Sequence, residues 1–319
     1  MSPSPGAVEY QERQAALAAA TARAVRPLWE QVDAEDMRGS WAAAMPRVVA
    51  LVTAGQLGAA READPYLRQL LPDAGAEGRV VPGALAGVAG DGRDLPGLLA
   101  YPLWHALARI ARGLSLAVTI ASGAALLELL ARTLVADAGR AATLVGMIAR
   151  PAVTSYVRVV ELPACARCII LAGREYGISE GFARHPRCDC TMEPVTAAHR
   201  PTPVDAMDVY RSMSAAQQRE AFGAAAVRAI GDGADIAQVV NARRGMTTAT
   251  RYGRRVQATT EGTTRRGIAG RRLGRLERAD GQRYRASRTA RLMPEEIYRL
   301  ADGDRAHALR LLRRHGYVV

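Results

Sequence analysis

All four cysteines of the 319-residue chain, and one of its five histidines, lie within a stretch of 26 residues. Their spacing is Cys-x2-Cys-x16-His-x2-Cys-x-Cys, formed by Cys165, Cys168, His185, Cys188 and Cys190. Ligand pairs two to four residues apart let one tight turn supply two donors to a tetrahedral zinc ion. The spacing therefore predicts a metal-stapled module with five candidate ligands for four positions. Few other features of the chain restrict its fold as strongly.

Two other uses of these cysteines remain open at this point. They could pair as disulfides after release into an oxidising milieu, or they could be buried thiols. The N-terminal segment has neither the basic nor the apolar region of a secretory signal, so we expect the chain to be made in a reducing cytoplasm, where clustered cysteines favour a metal. A bound Zn2+ would be structural, because four protein ligands leave no open position for a reacting water.

The rest of the chain predicts a mainly α-helical fold with a small α+β Cys/His-rich module and a flexible basic C-terminal arm. Aromatic residues make up only 5% of the chain and alanine is abundant, which favours helices packed through small side chains. Alternating valines and tyrosine in 154–162, and the run 190–195, predict two short strands flanking the cysteines. The predicted segments are an N-terminal helical region 1–97, the module with a helical hairpin 98–200, a helical segment 201–244, the arm 245–293 and a C-terminal helix 294–319.

Three local patterns add detail to this prediction. Ser214 followed by Gln217 is typical of a helix-capping box, and Pro294 fits the first turn of the last helix. The most apolar span, Leu114–Ala131, contains Glu128 and several small polar residues, so we expect a buried helix and no membrane segment.

The net charge of +12 is unevenly distributed. The chain has no lysine, and residues 241–319 carry 20 arginines against 7 acidic residues, whereas residues 1–240 are close to neutral. Such a cationic block favours non-specific binding to the phosphates of double-stranded DNA, with an acidic protein surface as the rival partner. The candidate contacts are Arg254, Arg255, Arg265, Arg266, Arg271, Arg272 and Arg275.

No catalytic constellation is evident in the sequence. The chain lacks a Gly-x-Ser-x-Gly elbow, a His-Glu-x-x-His zinc motif and a phosphate-binding loop. A thiol beside three others indicates chelation more than nucleophilic catalysis. His105 lies in an apolar helical stretch, which is typical of a core or interface residue. We therefore expect a protein that is not an enzyme.

The cysteine stretch resembles the hallmark of the phage Mu F-like head morphogenesis proteins, in the form found in phages of actinobacteria. The similarity rests on Cys165 and Cys168, on Gly173, and on His185-Pro186 followed by Cys188 and Cys190. These residues occupy about thirty positions, and the resemblance extends over roughly residues 100–196.

The resemblance implies a minor capsid protein made in the host cytoplasm and carried inside the phage head near the portal. Its expected partners are the portal protein, the major capsid protein or both, together with packaged DNA, and no membrane. Two alternatives stay open: a capsid maturation protease, and a zinc-stapled protein that binds DNA without sequence specificity.

Overall fold

The computed structural model describes residues 3–182, 184–186, 188–251 and 253–318. The chain divides into two compact units. The first comprises Met1–Glu161 and Ala172–Val204, and the second comprises Leu162–Leu171 and Asp205–Val319. The predicted fold class is confirmed: the molecule is mainly helical, with small antiparallel sheets and a Cys/His cluster.

The first unit is a group of helices followed by a three-stranded sheet. Its helices are α1 (Pro5–Glu30), α2 (Met37–Arg61), α3 (Ala63–Leu70), α4 (Leu95–Leu99), α5 (Tyr101–Ala111) and α6 (Leu116–Ile148). Its strands are β1 (Ser155–Val159), β2 (Glu175–Gly177) and β3 (Thr191–Val195). The helix α6 packs against α1, α2 and α5.

Close approach of α1 and α6 depends on glycine at two positions of α6. A β-carbon added at Gly123 would lie 2.1 Å from Cζ2 of Trp29, and one added at Gly139 would lie 2.1 Å from Oε1 of Gln14. Trp29 is fully buried and donates from Nε1 to the carbonyl of Ile120 at 2.9 Å. The small residues that the composition suggested therefore form the contact surface between these helices.

The long apolar helix α6 extends beyond the span that the sequence singled out. By length and composition alone, Leu116–Ile148 and Met37–Leu70 are each long and apolar enough to cross a membrane, a test that the core helix of a soluble protein also passes. Thr119, Leu127, Ala131 and Ala142 are fully buried along α6. Their spacing is that of the inward face of a helix packed within a protein core.

The sheet of the first unit has the strand order β2-β1-β3, with both pairs antiparallel. Ser155 pairs with Val195 and Val159 pairs with Thr191, so β1 runs into the cysteine segment and β3 follows it immediately. The two strands predicted on either side of the cysteines are confirmed. Their pairing brings the two ends of the 26-residue stretch back to the same sheet.

The second unit contains shorter elements around one hydrophobic core. Its helices are α7 (Ala166–Ile169), α8 (Ala206–Ser212), α9 (Ala215–Phe222), α10 (Ala224–Gly231), α11 (Ile236–Ala242), α12 (Ile268–Leu273), α13 (Pro294–Ala301) and α14 (Arg305–Arg314). Its strands are β4 (Met246–Arg251), β5 (Arg254–Thr259), β6 (Leu276–Glu277), β7 (Ala286–Ser287) and β8 (Arg291–Leu292). Both sequence-predicted helix starts are confirmed: Ser214 and Gln217 form a capping box, and Pro294 opens α13.

Residues 245–293 differ from the extended arm that their composition predicts. Strands β4 and β5 form a hairpin, β8 adds to β5, and Val256 and Leu292 are buried in the core of the second unit. Arg291 is fully buried; it donates to the carbonyls of His315 and Glu261, and its guanidinium lies over the ring of Tyr317. Burial lowers the pKa of Arg291. The segment is ordered because distant helices supply the apolar surface that it lacks locally.

Candidate metal centre

The first pair of cysteines lies on a single turn. Cys165 is the N-cap residue of α7, and Cys168 follows within the same turn. The backbone amides of Cys168 and Ile169 both donate to the carbonyl of Cys165, at 2.9 and 3.0 Å. This turn is the local structure that a Cys-x-x-Cys half-site requires.

The second half of the motif forms another turn directly before β3. The amide of Cys188 donates to the carbonyl of His185 at 3.0 Å, and Cys190 immediately precedes the strand. Nδ1 of His185 lies 2.7 Å from the carbonyl oxygen of Pro186. A carbonyl can only accept, so Nδ1 carries the proton and the ring lone pair is on Nε2. An imidazole oriented in this way is suited to bind a metal through Nε2.

The structure brings the five predicted ligands into two groups that share one cysteine. The ligand atoms of Cys165, Cys168 and His185 lie within 4.8 Å of one another, and so do those of Cys168, Cys188 and Cys190. Cys168, Cys188 and Cys190 are buried, while Cys165 and His185 are partly exposed. Cys168 belongs to both groups and is the residue that links them.

A buried arginine contacts the sulfurs of the second pair. Nη2 of Arg158 lies 3.5 Å from Sγ of Cys188 and 3.5 Å from Sγ of Cys190. Arg158 is only 2% exposed, and its guanidinium also lies 4.4 Å from the centre of the Phe182 ring. A buried cation beside two sulfurs favours the thiolate form, which is the form that binds metals.

A second arginine fixes the backbone of the same turn to helix α6. Nη1 of Arg140 donates to the carbonyls of Cys188 and Cys190 at 3.0 and 3.1 Å, and Nη2 contacts Asp137 at 2.5 Å. Asp137 also accepts from Nε and Nη2 of Arg184, at 2.6 and 2.9 Å. The hydrogen bond to Asp137 raises the pKa of Arg184. The loop that carries His185 and the second cysteine pair is thus tied to α6 on both sides of the histidine.

The cluster could hold a metal ion. No disulfide joins the four cysteines, all of which lie in the described part of the chain. Thiolate and imidazole are the donors of tetrahedral sites for zinc and other soft or borderline metals. If four of these five side chains bound one ion, no position would remain for a water or substrate. Such a centre would therefore be structural.

The predicted DNA-contacting arginines all belong to the second unit, but they do not form one continuous element. Arg254 and Arg255 begin β5, Arg265 and Arg266 precede α12, and Arg271 lies on α12; all five are exposed. Arg275 is exposed in the turn after α12, with a φ of 45°. Arg272 differs from the others, because its Nη1 donates to the carbonyls of Arg313 and Val318 and so ties α12 to the end of the chain.

Sequence reasoning missed the residues that support the cluster. Arg158, Arg140 and Asp137 are polar side chains within apolar elements, and their roles depend on contacts with residues 30 to 50 positions away. One signal was available for Arg158: it interrupts the valines of β1 on the same side as Tyr156, which is fully buried. A charged residue on the buried side of a strand beside a cysteine motif indicates a partner of opposite charge.

Comparisons with known proteins do not assign this chain to a family. No family model, no curated protein and no solved structure matched it. The similarity to the Mu F-like proteins therefore rests on the spacing of the cysteine motif.

Proposed function

We propose that the protein is a minor capsid protein of a tailed bacteriophage, located inside the head near the portal, that assists procapsid assembly and contacts packaged DNA. The observation that carries the proposal is the convergence of Cys165, Cys168, His185, Cys188 and Cys190, the residues on which the resemblance rests. In this role the helices of the first unit dock on the portal protein, the major capsid protein or both. The arginine-rich second unit faces DNA.

Within this proposal the metal is a structural Zn2+. Zinc prefers four soft or borderline ligands, and the cluster offers four sulfurs and one imidazole nitrogen. Four thiolates around a divalent ion carry a net charge of about −2, and three thiolates with one imidazole carry about −1. Burying either anion is unfavourable without a compensating charge. The guanidinium of Arg158 beside Cys188 and Cys190 supplies one.

The charge distribution supports contact with DNA. The last 79 residues carry the whole positive excess of the chain, and most of the predicted contact arginines are exposed. Phosphate contacts made by such residues need no base-reading element. Binding should therefore be insensitive to sequence and weaken steeply with salt.

Metal content gives the first test. Protein purified without chelator should contain one zinc per chain, and Cys168→Ser should remove it, because Cys168 belongs to both ligand groups. His105→Ala, which changes a histidine outside the cluster, should retain the zinc. Zinc-free protein with four titratable thiols would contradict the structural role of the metal.

Association with capsid components tests the rest of the proposal. The chain should be co-expressed with the portal and major capsid proteins of the same genome, and particles purified by gradient sedimentation. We expect a few copies per particle for the wild type and loss of incorporation for Cys168→Ser. Absence of the wild-type chain from particles and from portal complexes would contradict the proposal. Cleavage of a capsid protein that depended on this chain would favour the protease alternative.

A further inference from the structure

The β4–β5 hairpin of the second unit has one face that no other described element covers. The strands pair over six positions, from Met246 opposite Thr259 to the last pair before the turn, and β8 adjoins only Ala258 and Thr259 of β5. Six residues of strand extend for about 20 Å. Most of the hairpin is therefore a two-stranded ribbon standing beyond the edge of its small sheet.

The alternation of side chains separates an anchored face from an exposed one. Val256 is 4% exposed and belongs to the core of the second unit. Neighbours along a strand point to opposite sides, so Arg255 and Gln257 face away from that core. Their cross-strand partners, Thr250 and Thr248, share the outer face. All four residues are exposed.

The charge of the ribbon is entirely positive. Residues 243–259 contain five arginines and no acidic residue. Among the described residues, the side chains of Arg244, Arg254 and Arg255 make no hydrogen bond or ion pair, although Arg243 pairs with Glu295. Beside Arg255, the outer face carries threonine and glutamine, which donate and accept hydrogen bonds. A cationic, hydrogen-bonding strip of this kind matches a polyanion better than an apolar surface.

We propose that the outer face of the β4–β5 ribbon is the element that enters DNA, and that it lies in the major groove. The major groove is about 12 Å wide and admits a two-stranded ribbon without deformation of the duplex, whereas the minor groove is only about 6 Å wide. Arg255 on the outer face contacts a phosphate near the turn of the hairpin, and Arg254, which projects to the opposite side of the ribbon by the same alternation, contacts a phosphate on the other wall of the groove. Thr248, Thr250 and Gln257 face the groove floor. This inference rests on the DNA contact proposed above and locates it.

The test compares matched double substitutions in the full-length, metal-containing protein. Arg254→Ala with Arg255→Ala removes two charges from the ribbon. Arg310→Ala with Arg314→Ala removes two exposed charges from α14 and is the control for net charge and folding. Binding to a random-sequence DNA duplex should be measured by fluorescence anisotropy over a series of salt concentrations.

Each phosphate contact contributes about 0.9 to the slope of log affinity against log salt. Loss of two contacts should lower the slope by about 1.8, so that the affinity change between about 50 and about 200 mM salt becomes roughly 12-fold smaller. We expect this change for the ribbon variant, and near wild-type behaviour for the α14 variant. A duplex of RNA should bind more weakly than DNA of the same length, because the deep, narrow major groove of A-form helices excludes the ribbon.

The outcomes of this experiment test the assignment of the ribbon separately from the proposal that the protein contacts DNA. If Arg265→Ala with Arg266→Ala weakens binding as much as the ribbon variant or more, or if RNA and DNA duplexes bind equally, DNA contact stands but the ribbon assignment is overturned. If the wild type does not bind DNA, the part of the proposed function that concerns packaged DNA is contradicted. Protection of guanine N7 from dimethyl sulfate by the wild type, and its loss in the ribbon variant, would support the major-groove position.

Discussion

Replacing Arg158 by methionine tests whether this buried arginine supports the metal centre. Methionine keeps most of the side-chain length and the apolar contact with Phe182, but it removes the charge that lies 3.5 Å from the sulfurs of Cys188 and Cys190. Arg158 is 2% exposed, so water cannot readily replace that charge. The centre would then carry its negative charge without the guanidinium beside it.

The expected loss of zinc affinity follows from the distances between the Arg158 guanidinium and the two sulfurs. Two unit charges about 4 Å apart interact by about 1 kcal/mol in water and by about 4 kcal/mol at an effective dielectric constant of 20. Removing a residue that supports metal ligands typically lowers metal affinity 10- to 100-fold, which is about 1.4 to 2.8 kcal/mol and lies inside that interval. We therefore expect Arg158→Met to bind zinc about 10 to 100 times more weakly than the wild type.

Competition with a chromophoric chelator measures this affinity, and thermal melting with and without EDTA measures its link to folding. Arg174→Met is the matched control, because Arg174 is an exposed arginine of the same sheet region whose guanidinium lies over Tyr176. The control should bind zinc like the wild type. Unchanged zinc affinity in folded Arg158→Met protein would refute the electrostatic role. An equal loss of melting temperature with and without EDTA would assign the effect to packing alone.

Two further predictions concern the units separately. Gly123→Ala should destabilise the first unit by about 1 to 3 kcal/mol, because the new methyl group overlaps Trp29; Gly231→Ala, in open space at the end of α10, should leave thermal stability unchanged or higher. Burial alone would raise the pKa of Asp232, but hydrogen bonds from Tyr298 and a neighbouring arginine outweigh it and lower the pKa. The ionised carboxylate of Asp232 therefore stabilises the fold above about pH 4. This stabilisation is lost as the pH falls through the lowered pKa that Asp232 has in the folded state. Asp232→Asn should melt at a lower temperature at pH 7 and lose less stability on acidification. An identical pH profile for both proteins would contradict this assignment.

The positions of local structural elements could be predicted where a single stretch of chain contains the reason for them. The capping box at Ser214 and Gln217 and the helix start at Pro294 depend on residues within one turn of each other. The strand before the cysteines follows from alternation in 154–162, and the strand after them was predicted from the short run 190–195. The candidate ligands were identified in the same way, because Cys-x-x-Cys and Cys-x-Cys are local spacings.

The arginine-rich segment 245–293 could not be predicted in this manner. Its own composition offers few apolar residues, and on that basis an extended chain is expected. Its order depends on Val256, Leu292 and the buried Arg291, whose partners come from α13, α14 and the end of the chain. No window of sequence around these residues contains those partners.

The sequence by itself determined which side chains are candidate metal ligands and the sign of the net charge, because both depend only on which residues are present and how they are spaced. The tertiary structure decided how these residues are supported. It placed Arg158 against the sulfurs of Cys188 and Cys190, fixed their loop to α6 through Arg140, and turned an arginine-rich segment into an anchored hairpin with exposed arginines beside its turn. These arrangements join residues far apart in the chain. Their energy comes from burial and charge pairing across the fold, which local patterns do not encode.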